Sequence, residues 1–311
     1  MIDQLTKIVY ARVEFELEFQ ESFTLKREMV LRLRRELIRI AKQPAGDTHQ
    51  YSSQMLTMLD PEVASDPYAR RLFQKPSPPF VILPPRIDEQ SLDAGDVVLL
   101  EVLFLGNLGQ HIFLFAQLLQ LLGLFGFCRG AGRFDLAGVF GLDQSDNRLI
   151  IPVTDVHAEQ LSVPQLSLNW WVEKKIQYDR NVALTFVTPA RLLANNKPLF
   201  RVHFAEVFPF ILRRVTSMLY AWDGVELTID AQYLIEAATE VDIISSDLSW
   251  HDWRTLDGDS DKQELGGVTG SLVLGRIESD EIMAVIALGG LFNIGKSAAY
   301  GCGHFIIDFS D

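Results

Sequence analysis

Apolar and polar residues alternate from Ile8 to Phe19, with Val9, Ala11, Val13, Phe15, Leu17 and Phe19 on one parity and mostly polar residues between them. A period of two sustained over that length predicts a strand with one buried face. From Lys26 to Lys42 the spacing changes: Met29, Leu33, Leu37 and Ile40 recur at helical intervals, and Pro44 with Gly46 ends the run, so a helix is expected to follow the strand. A loop-rich stretch passes through Pro61, Pro67 and the prolines at 76, 78 and 79. Beyond it the pattern predicts strands over Phe80–Leu83 and Val97–Phe104, a helix over His111–Leu122 and a strand over Arg133–Phe140. The predicted order is β-α-β-β-α-β.

That order returns after a middle stretch. Val182–Val187 reads as a strand, Phe204–Trp222 as a helix, Val241–Trp250 and Val268–Ile277 as strands, Asp280–Leu288 as a helix and His304–Phe309 as a strand. Two split βαβ units predict an α+β fold of two tandem ferredoxin-like domains, the unit that RNA-recognition domains also use. The expected boundaries are 1–145 for the first domain, 146–180 for a linker or insert, and 181–311 for the second.

Composition narrows the class. A chain of 311 residues, 48% hydrophobic and 22% charged, can bury a sizeable core and most simply holds two domains. The longest apolar run, Ile112 to Phe127, is interrupted by Gln117, Gln120 and Gly123, so no membrane-spanning segment is expected. The N-terminus has no basic stretch leading into an apolar one, which argues against a secretion signal. Cys128 and Cys302 offer neither a disulfide framework nor a metal-ligand spacing. The expectation is a cytoplasmic protein with no metal, no cofactor and no membrane partner.

The net charge of −13 opposes nucleic-acid binding, but it is unevenly spread. Lys26 to Lys42 holds seven basic residues against Glu28 and Glu36, whereas Asp230 to Glu264 holds ten acids against Arg254 and Lys262. The N-terminal basic segment, with Arg27, Arg34 and Arg35, is the expected RNA-facing surface, and the acidic region would face solvent or a basic partner.

The densest motif lies near the end. Between Gly289 and Gly303 the chain carries five glycines, Gly289, Gly290, Gly295, Gly301 and Gly303, together with Lys296 and Ser297. Gly290 to Ser297 satisfies G-x-x-x-x-G-K-[ST], the P-loop pattern of nucleotide-binding proteins. A P-loop requires a preceding buried strand, a helix from the Lys onward and further sheet, yet Gly301 and Gly303 follow almost at once and the chain ends at Asp311. Two readings remain: an anion-gripping loop with Lys296 as its point charge and bare amides as donors, or a tight turn whose glycines serve φ > 0 and close packing.

Several segments together carry a family resemblance. Phe186-Val-Thr-Pro189-Ala-Arg-Leu192, Phe210-Ile-Leu-Arg213-Arg214, Ser246 to Trp253, Leu265-Gly-Gly-Val-Thr-Gly270 and the glycine-rich stretch Gly289 to Phe305 occur in order over the C-terminal half. In that order they resemble the C-terminal domain of the CRISPR precursor-RNA processing endoribonucleases of the RAMP superfamily. Pro78 to Pro85 and Leu121 to Phe134 resemble the N-terminal half more distantly. The resemblance implies two ferredoxin-like domains that bind CRISPR repeat RNA, possible association with other CRISPR effector subunits, and a single metal-independent cut by attack of a ribose 2′-hydroxyl, with no nucleotide cofactor. It makes Gly289, Gly290, Gly295, Lys296, Ser297, Gly301 and Gly303 RNA-binding candidates, beside Arg27, Arg34, Arg35 and Lys262.

Such cleavage needs an acid or base near neutrality, for which histidine is suited. His49 follows the basic segment, with Tyr51 two residues on and Ser52 next, and His49 with Tyr51 is the leading catalytic pair; His304, beside the glycine-rich loop, is a second histidine candidate. Trp170–Trp171 could stack a base, but with no clear basic cluster around them they read as packing residues, and Arg213–Arg214 read as helix-rim residues. The chain departs from the family where Gly258 and Asp259 stand in place of an Arg and a Tyr, and where Glu21 to Lys26 has no histidine. Those departures keep two alternatives in play: a non-cutting RAMP-type RNA-binding subunit of an effector complex, and a P-loop nucleotide-binding protein.

Overall fold

The computed structural model describes residues 1–43, 51–62, 76–85, 88–128, 130–153, 161–177, 179–194, 197–199, 203–251 and 266–310. They form two compact units, Val9–Leu166 and, separately, Met1–Ile8 with Ser167–Asp311. The division therefore differs from the expected boundaries at both ends. The stretch 146–180 is not a plain linker, because it contains a strand that pairs within the first unit and a helix of the second. The first eight residues join the second unit, through the short helix α1 (Ile2–Leu5).

In the first unit, the expected strand is β1 (Val9–Phe19), with Ala11, Val13, Phe15, Leu17 and Phe19 buried and the residues between them partly exposed or exposed. Next come β2 (Phe23–Lys26), α2 (Arg27–Leu31), α3 (Leu33–Ala41), α4 (Ser52–Leu59), β3 (Phe80–Ile82), β4 (Glu89–Leu92), β5 (Val97–Leu105), α5 (Leu108–Phe125), β6 (Phe134–Leu142) and β7 (Arg148–Ile150). The sheet runs β3-β5-β1-β6-β7, and each of these neighbouring pairs is antiparallel. The β3-β5-β1-β6 core has the ferredoxin-like order, and β7 extends its edge. Phe15, Phe80 and Phe104 all meet Phe115 of α5, at centroid separations of 5.3, 4.9 and 5.5 Å, and each such buried ring contributes about 1.5–3 kcal/mol. By length and composition α5 is apolar enough to cross a membrane, but Ile112, Phe115, Ala116, Leu118, Leu119 and Leu122 are fully buried within this unit.

The single helix expected over Lys26–Lys42 is two helices, α2 and α3, parted at Arg32 with φ −99° and ψ 0°. A two-stranded ribbon, β2 with β4, stands apart from the main sheet.

In the second unit, after β8 (Leu166–Ser167) at the boundary, the elements are α6 (Leu168–Lys175), β9 (Asn181–Ala190), β10 (Leu193–Ala194), β11 (Lys197–Pro198), α7 (Phe204–Asp223), α8 (Ala231–Thr239), β12 (Ile243–Ser246), β13 (Ser249–His251), β14 (Gly267–Leu274), α9 (Asp280–Phe292) and β15 (Phe305–Ser310). The sheet order β12-β14-β9-β15, with β13 also on β14, is again ferredoxin-like and antiparallel. The strand expected over Val241–Trp250 is split at Asp247, whose carboxylate accepts from the Ser271 amide while its own amide donates to the Ser271 carbonyl, 3.0 Å. Helix α9 starts at Ser279, whose hydroxyl accepts from the Ile282 amide, and is buried along nearly its whole length.

Helix α1 is tied to its unit by Gln4 and Leu5. Gln4 donates through Nε2 to the Glu226 carbonyl at 3.1 Å and accepts through Oε1 from the Thr228 amide at 2.9 Å. Leu5 of this segment is fully buried.

A candidate RNA-binding loop and its anchors

The glycine-rich loop leaves α9 at Asn293, which is fully buried and has φ 56°. A helix end leaves carbonyls without intrahelical partners. Here the Phe292 carbonyl accepts from both Nε and Nη2 of Arg214 on α7, at 3.2 and 3.1 Å. Arg214 is 9% exposed, and burial pulls its pKa down to about 10; it is still cationic at neutral pH. The neck of the loop is a pair of backbone bonds, Ile294 N–H to Gly303 at 3.1 Å and Gly303 N–H to Pro189 on β9 at 3.0 Å.

Two glycines are dictated by that path. Gly303 has φ 66°, and a Cβ there would collide with the Ile294 carbonyl oxygen. Gly295 has φ 82°, and its Cβ would lie 2.7 Å from the Arg191 carbonyl oxygen, the same atom that accepts from the Lys296 amide at 3.0 Å.

Side chains then fix the far limb. The Thr188 hydroxyl donates to the Gly301 carbonyl at 2.6 Å and accepts from the His304 amide at 2.9 Å. Asn293 donates through Nδ2 to the Ala298 carbonyl at 3.1 Å, which turns its Oδ1 towards His304 Nδ1 at 2.9 Å. An amide oxygen only accepts, so Nδ1 carries the proton, and in the neutral ring Nε2 holds the lone pair. Ala298, Ala299, Tyr300 and Cys302 are buried beneath the loop, and burial pushes the Cys302 thiol up to about 12, so it stays protonated and unreactive.

This arrangement corrects several expectations. The amides of Ile294, Lys296, Tyr300, Gly301, Gly303 and His304 all donate within the unit, so they are not a bare anion cradle. What the loop offers outward is Lys296, exposed and without an ion-pair partner among the described residues, with Gly295 and Ser297 half exposed beside it. Gly289 and Gly290 belong to α9 rather than to the loop, and Gly289 serves packing, since a Cβ there would run into Ile211 of α7. A P-loop is excluded as geometry. The motif begins inside a helix and not after a strand, and Lys296 is followed by the three-residue 3₁₀ turn Ala298–Tyr300 and then β15 instead of a helix.

The basic segment of the first unit is largely neutralised. Arg27 is buried, donating to the Pro85 carbonyl at 3.0 Å and pairing with Asp88 at 3.0 Å, so its guanidinium serves the fold instead of RNA. Arg34 pairs with Asp60 at 3.1 Å, Arg35 lies 3.8 Å from Glu36, and Arg39 lies 2.9 Å from the same carboxylate. The Tyr51 ring packs edge-on against Phe113 with centroids 5.2 Å apart. His49 and Lys262 lie outside the described residues.

The open face of the first unit's sheet is no RNA platform. Arg12 pairs with Glu101 at 2.9 Å and Asp146 at 2.5 Å, and Arg148, stacked 3.9 Å from the Phe140 ring centroid, pairs with Glu14 at 2.9 Å and Glu16 at 2.7 Å. With Glu18 exposed beyond them, acids outnumber cations there and would repel phosphate. Among the described residues no group of His, Cys, Asp and Glu is placed to hold a metal ion.

The sequence model of the CRISPR-associated endoribonuclease Cas6 family matches residues 184–305, and a second model, described as an N-terminal domain, matches residues 8–165. No curated protein sequence matches the chain. Among solved structures, a chain of a partial Cas6-RT-Cas1–Cas2 complex is 14% identical with a TM-score of 0.61 over 97% of this chain and 46% of that one. The present chain thus spans less than half the length of that larger protein. Two Cas6 product complexes, one of them of the Thermus thermophilus protein, are each 15% identical with TM-scores of 0.52, over 96 and 97% of this chain and 99 and 100% of theirs. At such identities the likeness is one of fold, and the fold is tandem ferredoxin-like.

Proposed function

We propose, from the match of residues 184–305 to the model of the CRISPR-associated endoribonuclease Cas6 family, that the chain binds CRISPR repeat RNA and cuts the precursor once without a metal ion. The observation that carries the reading is the loop itself. A family-matching segment is locked to its own unit by Arg214, Asn293 and Thr188, and the side chain it leaves exposed is a lysine.

In the cut, a base removes the proton of a ribose 2′-hydroxyl and O2′ bonds to the adjacent phosphorus. The P–O5′ bond breaks and an acid protonates O5′, leaving a 2′,3′-cyclic phosphate and a 5′-hydroxyl. No redox partner or cofactor enters that balance. His49, with Tyr51 beside it in sequence, is the proposed acid–base group, and His304 is the second candidate, favoured by the Asn293 hydrogen bond that leaves Nε2 as the acceptor. Other CRISPR proteins, as in the Cas6-RT-Cas1–Cas2 assembly, are the proposed protein partners, and the cytoplasm is the proposed site of action.

The test is incubation of the purified protein with its neighbouring repeat RNA in EDTA, resolved on a denaturing gel with end-group analysis. One cut with a cyclic phosphate and a 5′-hydroxyl is expected; binding without cutting would instead make the chain a guide-holding subunit. His49→Ala is expected to slow cleavage by about a hundredfold or more with binding retained. If His304→Ala does so and His49→Ala does not, the role moves to His304, and full activity in both variants removes histidine from the mechanism. Lys296→Ala is expected to weaken repeat-RNA binding and to lower the slope of log affinity against log salt by about one. An unchanged slope in a filter-binding titration would make the loop purely architectural.

A further inference from the structure

Helix α6 opens the C-terminal segment of the second unit, and its side chains pair at every i, i+4 step. Leu168 and Val172 are the buried row, Asn169 donates to Glu173 at 2.7 Å, Lys174 Nζ lies 4.7 Å from the Trp170 ring centroid, and Lys175 Nζ lies 4.9 Å from that of Trp171. The two tryptophans have different reasons for being there. Trp171 flanks the buried row and its indole N–H donates to the Ala287 carbonyl of α9 at 2.9 Å, so it ties α6 to the helix that leads into the glycine-rich loop. Trp170 faces away from the core. At 100° per residue it lies about 160° around the helix from both Leu168 and Val172, its ring is partly exposed, and Lys174 beside it is exposed. Packing accounts for the first indole and leaves the second unaccounted for.

We propose that the Trp170–Lys174 face of α6 is a stacking subsite for an unpaired RNA base, with Lys174 and Lys175 meeting the flanking phosphates. An indole held on a helix presents a rigid π-face that any base can stack on, and adjacent ammonium groups supply the charge that a strand requires. The Lys174 stem is long enough to swing its ammonium from the ring edge to a phosphate as the base arrives. Cations next to aromatic rings favour RNA over an acidic or apolar protein segment as the occupant. The placement also suits a strand held at the loop. From Ala287, where α6 is anchored, to Asn293 the helix rises about 9 Å, a span that a few nucleotides cover. For its natural ligand the subsite rests on the RNA-processing reading, but its test does not.

The probe is an oligoadenylate of about twelve nucleotides, within the range of single-strand sites, titrated into the full-length protein with tryptophan emission and anisotropy as readouts. Wild type is expected to bind with quenching. Trp170→Ala is expected to lose the quench and weaken binding roughly 5- to 100-fold, and Trp170→Phe to keep most of the affinity. Trp170→Leu, which retains apolar volume without a π-face, carries the test if the alanine variant misfolds, and it is expected to bind as weakly. Equal affinity in wild type and Trp170→Leu, or no binding of the oligonucleotide by wild type, overturns the proposal. Repeat-RNA cleavage by the same preparations is scored separately. Oligoadenylate binding that depends on Trp170 in a protein that cuts nothing would sink the processing function and leave this subsite standing.

Discussion

Gly303→Ala is expected to be the most damaging single-methyl change in the second unit, lowering stability by about 4 kcal/mol or more and abolishing RNA binding at physiological temperature. Two independent costs converge on this residue. Its φ of 66° is a left-handed conformation that costs an alanine about 1 kcal/mol. The larger cost is steric: the new Cβ would sit inside the Ile294 carbonyl oxygen, which cannot retreat because the Ile294 amide is bonded to Gly303 and the Gly303 amide to Pro189. Relief requires opening the neck of the loop and withdrawing Tyr300 and Cys302 from the interior. Denaturant unfolding followed by tryptophan emission reads the effect. A variant within 1 kcal/mol of wild type would mean that the neck is far more pliable than its hydrogen bonds imply.

Arg214→Ala is expected to cost about 3–5 kcal/mol. It removes a buried side chain, leaves a void, and strands the Phe292 carbonyl at the end of a buried helix. Arg214→Met separates those contributions. The thioether chain fills much of the volume and avoids burying a charge, so only the lost hydrogen bonds remain and the cost is expected to fall to about 1–3 kcal/mol. Should the methionine variant be as unstable as the alanine one, the hydrogen bonds carry the whole effect. A methionine variant more stable than wild type would show that the guanidinium is kept for the loop's geometry at the expense of stability.

The architecture was legible wherever a periodic apolar pattern ran long enough to outweigh local irregularity. β1, β5, α5, α7 and α9 were all read close to where they lie, and the repeated β-α-β-β-α-β order follows from them. Breaks were not legible, because they come from single side chains reaching distant backbone: Asp247 splits a strand by binding Ser271. The β2–β4 ribbon joins segments far apart in sequence, each too short to announce itself. At the site, glycines and Lys296 stood out as a motif, whereas the groups that fix their geometry did not. Thr188 and Arg214 sit inside matched motifs, yet their bonds to Gly301 and Phe292 exist only once the sheet and helices are assembled. Asn293 did leave a trace, as the one polar residue in the run from Ile282 to Ile294. The basic segment misled for the opposite reason: a count of charges along Lys26–Lys42 is blind to Asp60 and Asp88, which lie outside it in sequence and pair with Arg34 and Arg27 in space.

The Gln4 clamp on Glu226 and Thr228 sets a timetable for synthesis. On a ribosome adding roughly 5–20 residues per second, the first helix emerges and then waits, for something on the order of tens of seconds, until its partners have been made. Val9–Leu166 has all of its own strands by then and can fold in the interval. The second unit therefore closes around a segment that was made before any of Val9–Leu166, and it is completed only after the whole of that unit has been synthesised.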